Sequence, residues 1–353
     1  MRVGIVGGGF AGLAAAIAFR DMGHDVTVFE KASGPSTAGG AISLAQNALR
    51  CLATLGLRNH LFDQAKSNVP ATVRNSAGQV LVRSTLAQLT GGQEYATVPR
   101  HQLLSWLAEQ LPPDCVRYST AVLGSHADGT LNFGDSVRQF DLVVGADGPK
   151  SVIRRTLWPK APALRFTGNT GWAWITDRQP SSGYGTIWGR TSQFGILPLA
   201  DGRTYVYGGT CLPDIELASF STWPDPLPEL IDDARPDQMI TPAVFEARPP
   251  RRLVRGKVAL IGDAAHTMQP TFGQGAAIAM EDAVTLAHHG PTALSRRLPR
   301  MLALYGISKA GAYFATPRLA GLEASRNLAL RLTPDPVFSL MAGSVGRWTP
   351  ASL

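Results

Sequence analysis

Gly7, Gly9 and Gly12 stand in the spacing Gly-x-Gly-x-x-Gly, between an apolar run from Val3 to Val6 and an alanine-rich stretch that opens at Ala11. Glycines so placed permit a tight turn, let backbone approach a pyrophosphate and allow a helix to pack closely on a strand. The helix that follows offers unpaired N–H groups and a partial positive charge to phosphate oxygens. Glu30 ends a second β-branched run, Val26 to Phe29, at the distance where an acidic side chain accepts hydrogen bonds from ribose hydroxyls. The chemistry indicated is dinucleotide binding. Read alone, the fingerprint does not separate FAD from NAD, and its bland counterpart is a glycine-rich turn beside a surface glutamate.

Two later segments separate them. Asp141 to Arg154 reads as a strand followed by Asp147-Gly148, with Ser151 placed to cap a helix. Val258 to His266 is a strand running into Gly262-Asp263, and Pro270-Thr271-Phe272-Gly273-Gln274-Gly275 and Glu281-Asp282-Ala283 follow it. In this order and spacing the set resembles the class A FAD-dependent monooxygenases, the para-hydroxybenzoate hydroxylase-like aromatic-ring hydroxylases. The resemblance covers residues 1 to 330 and is weakest in the β-rich middle.

Carried residue by residue, the resemblance implies that Gly7, Gly9 and Gly12 cradle the FAD pyrophosphate, with Phe10 and Ala11 between them also cofactor-binding. It sets Glu30 at the adenosine ribose, Val122 beside the adenine and Arg100 at the phosphate-ribityl region, with Lys31 and Ala41 also among the cofactor-binding residues. Asp263 would bond the ribityl chain. Pro270, Gly273, Gln274, Gly275, Ala276 and Ala277 would run beside the isoalloxazine, a helix N-terminus facing its pyrimidine end, where the reduced ring carries charge. Asp147 and Arg154 serve structure and the docking of FAD and NAD(P)H more than chemistry, and His266 reads as a structural member of its turn. Three departures from the pattern stand out: Ala277 where many relatives carry asparagine, Ala173 where many carry arginine, and a helix from Tyr305 to Pro317 without the usual arginines.

The implied reaction uses NADPH or NADH and O2 to hydroxylate a small aromatic or heteroaromatic substrate through a flavin C4a-hydroperoxide. The cofactor carries that chemistry, so no catalytic side chain and no metal ligand is assigned. Trp172, Trp188, Phe194, Tyr205 and Phe272 are candidates for an aromatic substrate pocket, against the plainer reading that they form the core of their own domain. Rival readings are a flavin-dependent halogenase or reductase on the same fold, and a flavin-bound protein that sequesters a ligand. Trp172-Ala173-Trp174-Ile175 faintly echoes a halogenase motif, but Thr176 stands in place of its proline.

The elements that must hold these residues are α/β. Nucleotide-type strand and helix pieces occur at the start, middle and end, around a β-rich insertion whose threonines, glycines and aromatics suit antiparallel strands. The expected architecture is a Rossmann-like FAD-binding domain of the glutathione-reductase type with C-terminal helices and an inserted β-rich substrate domain. Its expected bounds are 1–68, 95–165 and 250–353 for the cofactor domain, and 69–94 and 166–249 for the insertion. A length of 353 residues suits two interlocked domains, and 44% apolar against 17% charged residues excludes general disorder.

The formal charge of +7 comes from scattered basic pairs without a recognition module, so no nucleic-acid partner is expected, although the charge leans toward NADPH. Only one dinucleotide fingerprint occurs, so the nicotinamide should dock in a shared cleft. Three isolated cysteines fit a reducing compartment, and no segment reaches the roughly 20 apolar residues of a membrane span. The reading is a cytoplasmic monomer or homodimer without a membrane partner.

Overall fold

The computed structural model describes residues 1–36, 39–62, 69–89, 94–334 and 337. Parts of the expected domains, among them 63–68, 90–93 and 338–353, lie outside the described residues.

A six-stranded sheet forms the first layer, with Arg2–Val6 at its centre. Asp25–Phe29 pairs with it in parallel on one side and Leu142–Gly145 on the other, and Val258–Leu260 continues the parallel run beyond Leu142–Gly145. These strands are short and nearly all apolar, as strands covered on both faces must be. The helix Phe10–Asp21 ends where Gly23 turns left-handed at φ 76°, and it lies against the helix Gln274–Arg296. A kink divides that second helix just after His289. Gly290 breaks the helical dihedrals and Pro291 restarts them, its fixed φ suiting a first helical position.

The second layer is a seven-stranded sheet in the order Ala243–Glu246, Arg165–Thr176, Thr204–Thr210, Ser192–Pro198, Tyr184–Trp188, Pro70–Asn75 and Val80–Thr85. All of its pairs are antiparallel except Tyr184–Trp188 with Pro70–Asn75. The Asp201-Gly202 turn closes the central hairpin. Asp201 accepts the Arg203 N–H at 3.0 Å while Gly202 takes φ 89°, which leaves Leu197 opposite Tyr205 and Ile196 opposite Val206. Alternation then gives the sheet two faces. One buries Trp172, Trp174, Ile187, Phe194, Ile196 and Val206 beneath Phe220, Leu227 and Leu230, while the other carries Ala173, Leu197, Tyr205 and Tyr207.

A two-stranded ribbon joins the layers. Ala41–Leu44 pairs antiparallel with Ala96–Pro99, and the helix Arg100–Glu109 starts directly after it. Helices Leu298–Ala315 and Ala320–Leu332 follow the last sheet strand and the long helix in the chain.

Candidate functional site

The glycine loop divides into packing glycines and an open one. A Cβ at Gly7 would lie 2.4 Å from the Ala146 carbonyl oxygen, and one at Gly12 would lie 1.9 Å from that of Gly7. These two hold strand, loop and helix together. At Gly9 a Cβ would meet no protein atom within 4 Å, and no side chain caps the helix that starts at Phe10. Backbone N–H groups there face an approach that only a side chain would obstruct. Glu30 accepts the Gly8 N–H at 2.6 Å and the Ala32 N–H at 2.8 Å, tying the second strand to the loop. Lys31 is exposed beside it, and Val122 follows Thr120, whose N–H donates to the Glu30 carbonyl at 2.9 Å.

Further along the same groove, the Arg100 N–H donates to the Gly40 carbonyl at 3.0 Å, which fixes the helix start below Ala41. Its guanidinium lies 4.7 Å over the Phe10 ring. Gly262, at φ 57°, approaches Ala11 so closely that a Cβ would fall 2.8 Å from the alanine methyl, and this contact delivers Asp263 opposite Arg100. Both side chains remain open to solvent, yet both are crowded by protein. Burial pushes the Asp263 pKa up, with His266 and Arg100 pulling it down. Burial likewise lowers the Arg100 pKa, against Asp263 and Tyr205. Charged groups held in a deep but wet concavity suit a polar ligand that pairs with both.

The Pro270 to Ala277 segment supplies a second helix N-terminus. Gly273 adopts the left-handed conformation at φ 64°, the helix begins at Gln274, and no side chain caps it. A Cβ at Gly275 would meet nothing within 4 Å. The Gln274 side chain points inward instead, accepting from Asn47 Nδ2 at 2.9 Å, and Ala277 packs into the core while Ala276 is half-buried. The backbone, not these side chains, is therefore what this segment offers.

Asp147 and Arg154 turn inward. Asp147 Oδ2 accepts the N–H groups of Val152 and Ile153 at 2.7 and 3.2 Å, capping the helix Val152–Leu157, and burial raises its pKa. Arg154 is buried and donates to four carbonyls, those of Ala264, Ala265, Pro162 and Arg248. It fastens the turn that follows Asp263. His266, fully buried on Asp282, is a structural member of the same turn, as its sequence context suggests.

The aromatic pocket candidates separate. Trp172 and Phe194 belong to the covered face of the seven-stranded sheet, stacked with ring centroids 6.1 Å apart and packed on Phe220. They are core, and their place in the pocket is corrected. Trp188 is corrected too: it packs edge-on to Phe314 and under Arg326, among Val73, Leu81 and Leu330. Tyr205 stays, since its ring abuts Gly40 so tightly that a Cβ there would come within 2.5 Å, and Ala173 lines the same spot. Phe272 is 44% exposed and lies against Gly311. Sequence reasoning missed Asn47, Tyr207 and Tyr95, which is buried beside Tyr205 and Tyr207 and donates to Ser43 Oγ at 2.8 Å. The period of two in Thr204–Thr210 was the available signal, because it sets Tyr205 and Tyr207 together, away from Val206.

A family model described as an FAD binding domain matches residues 1–182 and 232–305, well over half of the chain. The chain belongs to that FAD-binding family. Among this flavoprotein's relatives, the aurachin C monooxygenase/isomerase of Stigmatella aurantiaca is 31% identical, covering 86% of this chain and 84% of its own. The 2-heptyl-3-hydroxy-4(1H)-quinolone synthase of Pseudomonas aeruginosa is 32% identical over 81% of this chain and 80% of its own. The structure of Klebsiella pneumoniae HpxO with FAD and uric acid superimposes with a TM-score of 0.88 at 26% identity, covering 98% of this chain and 96% of that one.

This chain is an FAD-dependent monooxygenase with the class A fold. The residues fit the cofactor: two uncapped helix N-termini, at Phe10 and Gln274, and two glycines whose Cβ positions are open line one groove. No helix among the described residues is long and apolar enough to cross a membrane, and no group of metal-ligating side chains occurs among them.

Proposed function

We propose that this flavoprotein uses NAD(P)H and O2 to hydroxylate a small, electron-rich aromatic or heteroaromatic ring. The balance is substrate, O2, NAD(P)H and a proton giving hydroxylated product, NAD(P)+ and water. Bound FAD supplies the redox chemistry and the activation of oxygen.

In this reading Gly9 and the Phe10 helix take the pyrophosphate, Glu30 the ribose, and Arg100 and Asp263 the phosphate-ribityl stretch. The Gln274 helix terminus stabilises negative charge on the reduced ring. The substrate lies between the Pro270 to Gly275 loop and the tyrosine-bearing face of the seven-stranded sheet, where Ala173, Tyr205 and Tyr207 exclude water and orient the ring. Burial raises both tyrosine pKa values above their ordinary value, so their hydroxyls stay protonated as hydrogen-bond donors. A ring carbonyl, as in the quinolone and purine relatives, is a matching acceptor.

The single observation that carries this reading is the convergence of two uncapped helix N-termini with the Arg100 and Asp263 pair along one groove. The test is NAD(P)H consumption by FAD-loaded protein in air, with and without phenolic, quinolone and purine compounds. Acceleration by one compound with an oxygenated product supports it. Bound FAD that neither nicotinamide reduces faster, whatever compound is added, sinks it.

A further inference from the structure

One polar cleft lies outside the cofactor groove and the tyrosine face. It is a solvent-open cleft with a cavity of about 40 Å³ between the edge of the seven-stranded sheet and the helix Leu298–Ala315, and Arg165, Thr167, Asn169, Gln269, Tyr313 and Arg318 line it. Its charge is unbalanced. The Glu246 carboxylate, 1% exposed, pairs with Arg165 and stands 3.6 Å from Lys309 Nζ, while Gln269 Nε2 donates to it at 2.8 Å. One buried acid is therefore shared by two cations, Arg165 of the cleft lining and Lys309 outside it.

Arg318 is a third cation, with no acidic partner among the described residues. Its guanidinium lies 5.5 Å over the Tyr313 ring. Its backbone is left-handed at φ 65°, held by donation from its N–H to the Arg190 carbonyl at 2.8 Å. A non-glycine residue in that region is strained, and such strain concentrates where a ligand is clamped.

The cleft also adjoins the flavin-side loop. Gln269 immediately precedes Pro270, Ser308 Oγ donates to the Gln269 carbonyl at 2.6 Å, and Thr271 Oγ1 donates to the Ser308 carbonyl at 3.0 Å. The wall that carries the cations is thus joined to the backbone that flanks the ring.

We propose that this cleft docks the phosphates of the nicotinamide dinucleotide reductant, which rests on the monooxygenase reading above. A guanidinium fork matches phosphate oxygens in pairs, and the Asn169 amide and Tyr313 hydroxyl add neutral donors around it. Docking by surface cations needs no second dinucleotide fold, in keeping with the one glycine fingerprint of the chain.

The test compares wild-type holoenzyme with Arg318→Gln and Asn169→Asp, the second a near-isosteric change that adds a negative charge to the cleft. Two quantities are read: the KM for NADPH and NADH, and the Kd for ADP-ribose, a non-reducing probe. The expected result is a rise of about tenfold or more in both for either variant. FAD content, KM for the aromatic substrate and kcat at saturating nucleotide should stay within about twofold. Unchanged nucleotide KM and ADP-ribose Kd overturn the proposal. So does a rise confined to the aromatic substrate's KM, which would assign the cleft to a substrate carboxylate. Wild-type protein that binds ADP-ribose through these residues yet oxidises no nicotinamide would instead defeat the monooxygenase reading.

Discussion

The Asp282 carboxylate grips His266: Oδ2 stands 2.5 Å from the ring Nε2, and neither side chain is exposed. The same oxygen accepts the Gly262 N–H at 3.3 Å, and Oδ1 accepts Arg297 Nε at 2.9 Å. Because Gly262 directly precedes Asp263, a buried acid on the long helix sets the position of an acid in the cofactor groove. Removing one partner of such a buried pair costs about 3–5 kcal/mol. Asp282→Asn should therefore lower the melting temperature and also raise the FAD Kd, read by quenching of flavin fluorescence on apoprotein. A lower melting temperature with an unaltered Kd would show that the contact serves stability alone.

The pair also fixes a pH dependence. Burial opposes the His266 charge, but Asp282 outweighs it and raises the pKa above 6.5. Stability from that charge is fully present below about pH 6.5 and is lost as pH rises through the higher folded value. For Asp282, burial is likewise outweighed, here by His266 and Arg297, and the pKa falls below 3.8. Its contribution is present above that ordinary value and is lost as pH falls through the depressed one. The melting-temperature gap between wild type and His266→Gln should be widest between about pH 4 and 6.5, and narrow as pH rises beyond that window. A gap that widens with rising pH would mean the imidazole is neutral in the folded protein.

The glycine fingerprint, the strands that bracket it and the Gly262-Asp263 turn were legible because each is a local pattern with a local cause. The aromatic pocket was not. Trp172, Phe194 and Tyr205 share one texture in the sequence, and alternation sorts them into two faces without saying which is covered. Phe220, Leu227 and Leu230, well away in the chain, decide that. Long-range pairs escaped for the same reason. Asn47 reaches Gln274 across 227 positions and Glu281 across 234, which no spacing rule anticipates.

The two faces of the sheet predict opposite mutant behaviour. Phe194→Ala removes a fully buried ring packed on Trp172, Phe220 and Trp223, at a cost of about 3–5 kcal/mol. It should depress the melting temperature, while Phe194→Leu restores most of it with KM near wild type. Tyr205→Phe deletes only a hydroxyl beside Arg100 and should leave stability nearly unchanged while raising substrate KM or uncoupling NAD(P)H use from product. Equal effects on KM from both positions would return Phe194 to the pocket.

Glycine substitutions separate packing from ligand approach most directly. At Gly12 an added methyl would overlap the Gly7 carbonyl oxygen at 1.9 Å, so Gly12→Ala should yield little folded protein whether or not FAD is supplied. Gly9 has an extended backbone, φ −84° and ψ −172°, and its Cβ meets nothing within 4 Å, so Gly9→Ala should fold normally. Gly275 lies in the first turn of its helix with the same open surroundings, and alanine there gains up to about 1 kcal/mol of helix propensity. Gly275→Ala apoprotein should therefore melt at or above the wild-type temperature. Both open-position variants should nevertheless bind FAD at least about tenfold more weakly, because the methyl occupies space the cofactor backbone contacts require. Flavin titration of the three purified apoproteins, with circular dichroism melts alongside, distinguishes the cases. Full FAD affinity in Gly9→Ala and Gly275→Ala would mean that the cofactor does not pass over these two helix termini.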